Sequence, residues 1–235
     1  MKAPIRLAVP VVAASAALAL TAGTASAATT TIREETATGA PYSGNWQVST
    51  VGTLDFSVVF LGSEVTGSCE SATLQGTVVS TGPGELTAAS LGACETSNGL
   101  SSPPTDLDLS ELPDKSGAVA YAPVQGGRDG TLSINGDLQF TIEGQILGFT
   151  VTCNYGFRSG DTPGLVFDVY NRDNPNRPLP DLDDAQGASD DITLVRQPGS
   201  SGLCPEDGTG SGAAIARGET TPGSGVFDRK LYLTS

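Results

Sequence analysis

Cysteines and acidic side chains are the groups in this sequence that could do chemistry, because none of the 235 residues is histidine. Without histidine, Ser-His-Asp and Cys-His catalysis are excluded, and zinc, copper and iron lose their commonest ligand. The Gly-x-Ser-x-Gly and Ser-x-x-Lys motifs are absent, as are the Asp-Thr-Gly and Asp-Ser-Gly motifs of aspartic proteases. Catalysis by the carboxylates of aspartate and glutamate is not excluded.

The cysteines are Cys69, Cys94, Cys153 and Cys204. Their spacing matches neither a zinc ribbon nor a CxxC redox motif, so in an oxidising compartment this even number predicts two disulfides. Three pairings are possible. We predict the sequential pairing, Cys69 with Cys94 and Cys153 with Cys204, because it closes the shortest loops and places one bridge in each half of the chain.

Acidic residues concentrate in residues 171–191, a stretch without a periodic apolar pattern. Its closely spaced aspartates are Asp181, Asp183, Asp184, Asp190 and Asp191. Calcium prefers such oxygen ligands, so the stretch could hold a calcium ion, although the EF-hand glycine and terminal glutamate are missing. The alternative, which we favour, is a solvated acidic loop stiffened by prolines. No other cofactor is indicated.

Glycoside hydrolysis needs two carboxylates that flank the scissile bond. The acids on or near predicted strands are Glu64, Glu70, Glu143 and Asp168. Nothing in the sequence brings two of them together. A carboxylate-dependent polysaccharide hydrolase is therefore the alternative function and not the one that we favour. Trp46 and the tyrosines could stack on a sugar ring, but we expect them to pack in the core.

The first 27 residues have the pattern of a secretory signal peptide. Lys2 and Arg6 precede an apolar stretch, and an Ala-Ser-Ala sequence at residues 25–27 is a typical cleavage motif. Pro10 interrupts the stretch, which is shorter than the ~20 apolar residues of a membrane-spanning helix. We therefore expect a secreted, extracellular protein without a membrane span.

The net charge of −14 limits the choice of partners. A surface this negative repels the phosphates of nucleic acids and of anionic membranes, so we expect neither as a partner. The simplest interpretation is that the charge keeps an exported protein soluble and monomeric.

Alternating apolar residues predict an all-β fold of about ten short strands, an antiparallel β-sandwich or two small packed β units with Greek-key-like connections. One strand is predicted at Leu54–Phe60. A hairpin is predicted around Asn135 and Gly136, which suit a type I′ turn. Residues 28–235 form one secreted domain, or two units of about 28–100 and 117–235 joined by a Ser/Pro-rich and acidic linker.

Several short segments together resemble secreted, β-rich proteins of actinomycetes. They are Leu91-Gly92-Ala93-Cys94, Val119 to Pro123, Gly126 to Gly130, Cys153-Asn154-Tyr155-Gly156, Asn174 to Pro178 and Gly202-Leu203-Cys204, besides the signal peptide. The resemblance implies an exported, disulfide-bonded β fold of uncharacterised function and supplies no catalytic residues. Together with the missing motifs, it predicts a non-catalytic extracellular protein, either a binding module or a surface or matrix component, with a glycan or a protein as its ligand.

We predict that export removes residues 1–27. Because signal peptidase accepts small residues at its cleavage site, mass spectrometry of the culture supernatant should find a mature chain that starts at or within a few residues of Ala28. Recovery of the intact chain from the cytoplasm would contradict this prediction.

Overall fold

The computed structural model describes residues 29–97, 101–102, 105–113, 116–146, 149–159 and 161–235. The predicted signal peptide lies outside these residues. Within them every helix or strand element is a β-strand, and all strand pairings are antiparallel, which confirms the predicted all-β fold class. No helix in the described ranges is long and apolar enough to cross a membrane.

Seventeen strands follow one another along the described residues. They are β1 Thr31–Glu34, β2 Gly44–Thr50, β3 Leu54–Phe60, β4 Ser63–Cys69, β5 Ala72–Val78, β6 Pro83–Leu91, β7 Cys94–Thr96, β8 Ser101–Ser102, β9 Thr105–Asp106, β10 Gly117–Tyr121, β11 Gly130–Asn135, β12 Gln139–Ile146, β13 Phe149–Ser159, β14 Thr162–Tyr170, β15 Ala185–Arg196, β16 Asp207–Gly218 and β17 Arg229–Thr234. The prediction of a strand at Leu54–Phe60 is confirmed by β3.

Eight strands pair in a closed ring, which we call the ring. Their order is β2, β5, β6, β10, β11, β14, β15 and β16, after which β16 pairs with β2 again. Apolar side chains of these strands, including Trp46, Ile134 and Leu165, are buried in a common core. Burial of this apolar surface is the main force that holds the strands together.

The remaining part of the sheet is a lobe built on the same two long strands. Residues 208–211 of β16 pair with β3, which continues through β4 and β7 to β8. Residues 193–196 of β15 pair with β13, and β13 pairs with β12. We call β3, β4, β7, β8, β12 and β13 the lobe. Strands from the ranges 28–100 and 117–235 therefore pair with each other, and the sheet is not divided at the Ser/Pro-rich stretch between them.

The two disulfides have the predicted connectivity, Cys69 with Cys94 and Cys153 with Cys204. Cys69 and Cys94 are directly opposite each other on β4 and β7. The second bridge joins β13 to the segment between β15 and β16. Each half of the chain therefore holds one bridge, as predicted, and both bridges attach to strands of the lobe, β4 and β7 for the first and β13 for the second. Two disulfides agree with an oxidising, extracellular compartment.

The hairpin predicted at Asn135 and Gly136 was wrong. β11 pairs with β10 and β14, whereas β12 pairs with β13, so the two predicted partners lie in different parts of the sheet. Gly136 has a φ of 118°, but Asn135 does not adopt the positive φ that a type I′ turn requires. The Asn-Gly pair instead connects the ring to the lobe.

The first and last described strands, β1 and β17, cover one end of the ring. β1 pairs with β17, and Ile32, Leu231 and Leu233 pack into the core. The buried amide of Asn171 donates to the Leu233 carbonyl at 2.9 Å and accepts from the Leu233 N–H at 2.7 Å. The last strand is thereby attached to the residue that follows β14.

Large side chains lie over glycines on the neighbouring strand. Trp46 is opposite Gly76, and Phe56 is opposite Gly67. A Cβ on Gly76 would overlap the Glu85 carbonyl oxygen and come within 2.7 Å of the Trp46 ring. Glycine at positions 67 and 76 is therefore a packing requirement, since only glycine leaves room for the facing ring.

We predict that Gly76→Ala destabilises the fold by about 1–3 kcal/mol, because the added methyl group overlaps the Glu85 carbonyl oxygen and overpacks the contact with Trp46. Gly202→Ala is the matched control, since no atom lies within 4 Å of its added Cβ. Chemical denaturation measures both. Equal midpoints for the two variants would contradict the packing argument.

Candidate functional site

A polar groove of about 560 Å³ on the surface of the lobe is the candidate functional site. It is lined by Asp55, Phe56, Ser57, Thr66, Gly67, Ser68, Glu95, Thr96, Ser97, Asp190, Thr209, Gly210 and Ser211. The apolar cavities inside the ring measure only about 50 and 60 Å³, whereas small-molecule pockets are typically about 300–1,000 Å³. The groove is therefore the better place for a ligand.

Strand alternation builds the floor of the groove. Along β3, Leu54 and Phe56 pack against the core, and side chains alternate between the two faces of a strand. Asp55 and Ser57 therefore point to the opposite face, where they line the groove. The facing residues of β4 and β16 share this face, since directly paired residues lie on the same side of a sheet.

The strand register aligns these side chains in two rows across the strands. The first row is Ser211, Asp55, Ser68 and Glu95, one residue from each of β16, β3, β4 and β7. The second row is Thr209, Ser57, Thr66 and Ser97. Ser97 joins this row because it exchanges hydrogen bonds with Thr66, its N–H donating at 2.7 Å and its Oγ accepting at 3.2 Å.

A β-bulge brings a third carboxylate into the groove. The register of β15 and β16 shifts between Ser189 and Ile192, and Asp190 lies within this irregularity. Bulges often redirect a side chain in this way beside functional sites. Asp190 lines the groove on the β15 side, next to Ser211.

The chemistry of the groove is that of hydroxyls and carboxylates. None of its lining residues is Lys or Arg, whereas Asp55, Glu95 and Asp190 are acidic. Asp55 accepts a hydrogen bond from Thr53, and Ser57 donates to Glu64 at 2.8 Å at the edge of the groove. Carboxylates only accept hydrogen bonds, so the groove suits a ligand that is rich in donors.

The acids considered for hydrolysis are not brought together in the groove. Glu64 contacts Ser57 at its edge, but Asp168 pairs with Arg128 at 2.9 Å on the ring. Glu143 is on β12, where it pairs with Thr152 of β13, and Glu70 is the residue that follows β4. Sequence reasoning missed Asp55 and Glu95, although the alternation that predicted β3 also assigned Asp55 to the polar face.

None of the described tryptophan and tyrosine residues lines this groove, and its one aromatic lining residue, Phe56, packs against the core. Trp46, Tyr42 and Tyr155 are buried in the core as expected, whereas Tyr121, Tyr170 and Tyr232 are only half-buried. The Trp46 indole N–H donates to the Thr77 carbonyl at 3.0 Å. Burial raises the pKa of Tyr155 to about 12.

The acidic stretch of residues 171–191 forms a loop up to Asp184 and then enters β15. The side chain of Gln186, which has no exposed surface, forms hydrogen bonds with the backbone of the loop. It accepts a hydrogen bond from the Leu179 N–H at 2.8 Å and donates to the carbonyls of Leu179 and Leu182 at 2.7 and 3.2 Å. The backbone of the loop is thus held by the side chain of Gln186.

Two of the proposed calcium ligands are paired with basic side chains. Asp183 accepts from Lys230 at 2.6 Å, a contact that lowers its pKa, and lies 3.4 Å from Arg172. Asp184 is buried and makes two contacts with Arg217, at 2.9 and 3.0 Å, which raise the pKa of that guanidinium.

Asp181, Asp190 and Asp191 complete the proposed calcium set. Asp181 is exposed, Asp190 lines the groove, and the side chain of Asp191 lies outside the described part of the structure. Among the described side chains, no group of three or more Cys, Asp or Glu residues is arranged to hold a metal ion. Calcium binding stays a prediction from the sequence, and thermal melts with millimolar calcium and with chelator test it.

Comparison with known proteins assigns no family to this chain. No family model matches it, and the searches of curated proteins and of solved structures found no match. The function is therefore inferred from the geometry of the groove.

We predict that Asp184→Asn destabilises the fold by about 1–3 kcal/mol, because it removes the charge from a buried pair with Arg217. Asp181→Asn is the control, since it makes the same change on an exposed residue of the same loop and should alter stability by less than about 0.5 kcal/mol. Thermal melts compare the two. A destabilisation by Asp181→Asn as large as that by Asp184→Asn would show that the Arg217 pair is not the reason.

Proposed function

We propose that this protein is an extracellular binding protein whose groove takes a glycan. The observation that carries the proposal is the pair of registered rows, in which hydroxyls and carboxylates from four strands face the same open groove. Sugar hydroxyls both donate and accept hydrogen bonds, so they match serine and threonine hydroxyls and donate to the carboxylates.

The form of the groove supports a binding role. It is open to solvent along its length, with Asp55 and Glu95 exposed on its floor. Its volume of about 560 Å³ lies within the usual range for small-molecule sites. The two disulfides and the predicted signal peptide support an extracellular place of action.

A polysaccharide hydrolase is the second candidate, and one observation favours it. Asp55 and Glu95 lie in the same row with one strand between them, so their backbones are about 10 Å apart at the usual strand spacing of about 4.8 Å. Inverting glycosidases hold two carboxyls about 6.5–9.5 Å apart. However, such enzymes keep their acid protonated by enclosing it, and both carboxylates are exposed here.

Calorimetric titration of the mature protein with a panel of soluble oligosaccharides tests the proposal. We expect at least one to bind, and Asp55→Asn to weaken that binding by about two- to tenfold, since Asp55 is exposed and a hydrogen bond there contributes about 0.5–1.5 kcal/mol. Asp181→Asn, outside the groove, should leave the affinity unchanged.

Absence of binding across the panel, or equal affinity for Asp55→Asn and the unaltered protein, would contradict a glycan site in this groove. Product analysis on the same panel separates the two candidates. Cleavage that is lost in Glu95→Gln while binding is retained would establish the hydrolase instead.

A further inference from the structure

Carboxylates and hydroxyls alternate strictly along the first row of the groove. With Asp190 at its end, the row has a carboxylate on β15, β3 and β7 and a serine on β16 and β4. The carboxylates therefore recur on every second strand. At a strand spacing of about 4.8 Å this corresponds to one carboxylate about every 10 Å.

The second row has a different composition. Thr209, Ser57, Thr66 and Ser97 supply hydroxyls and no charge. Because no basic residue lines the groove, no lining side chain neutralises the carboxylates. A ligand with ammonium groups at the spacing of the carboxylates would neutralise them. Its hydroxyl groups would then form hydrogen bonds with the hydroxyls of the second row.

A β-1,4-linked glycan has this repeat. Successive sugars are turned over relative to one another, so equivalent substituents face the same side at every second sugar. Two such sugars are about as long as two strand spacings, about 10 Å. A chain that crosses the strands at right angles would therefore present the same substituent to Asp190, Asp55 and Glu95 in turn.

We infer that the ligand is a β-1,4-linked amino-sugar polymer that lies across β15, β16, β3, β4 and β7 with its ammonium groups on the three carboxylates. The inference rests on the proposed glycan site and adds the charge and the direction of the ligand. The serines between the carboxylates face the sugars whose amino groups point away.

The probe is a series of β-1,4-linked glucosamine oligomers of one to five sugars, with N-acetylated and unsubstituted glucose oligomers of equal length as controls. Affinity for the amine series should increase in steps as the oligomer reaches a second and a third carboxylate. Each step should be about two- to fivefold, because exposed ion pairs are weak, and it should diminish with added salt. Asp55→Asn and Glu95→Gln should each remove a step.

Asp181→Asn controls for overall charge, since it removes one negative charge outside the groove and should leave the steps intact. Neutral oligomers that bind as tightly as the amines would overturn this inference but leave the proposed function standing. Binding of amines that weakens equally in Asp181→Asn and Asp55→Asn would show attraction to the acidic surface as a whole and would also overturn it. If no oligomer of these series binds, the inference fails, while the proposed function stands or falls with the wider oligosaccharide panel.

Discussion

The pairing of β16 on both of its edges is the constraint on which the rest of the structure depends. One edge pairs with β15, while the other is divided, with residues 214–218 paired to β2 and residues 208–211 paired to β3. The first pairing closes the ring, and the second starts the lobe and its groove. Residues 217 and 218 of β16 also pair with β17. The groove therefore rests on a strand that is fixed by four neighbouring strands, which holds the two rows of side chains in register.

This arrangement explains the composition of β16, in which glycine and other small residues dominate. A Cβ on Gly208 would come 2.6 Å from Val58, and one on Gly218 would come 2.6 Å from the Tyr42 ring. Glycine weakens a strand through its conformational entropy. Here that cost is offset because bulky side chains of neighbouring segments are buried directly over the backbone, which lets one strand serve both parts of the sheet.

Local patterns in the sequence predicted local structure, and long-range pairing decided the rest. The alternation in Leu54–Phe60 predicted β3, because a half-buried strand leaves that pattern whatever its partners are. The Asn135-Gly136 signal failed because Ile134 pairs with Gly117 and Leu165 rather than across the turn. The groove could not be predicted for the same reason, since its rows join residues up to about 150 positions apart in sequence, and only the register aligns them.

The central claim is that these aligned rows form the binding surface. A two-dimensional amide NMR titration of the mature protein with the tightest-binding oligosaccharide tests it most directly. The account predicts chemical-shift changes confined to residues 55–57, 66–68, 95–97, 190 and 209–211, with the loop at residues 171–184 unchanged. Changes centred on that loop or on the end of the ring covered by β1 and β17, with the groove unaffected, would contradict it.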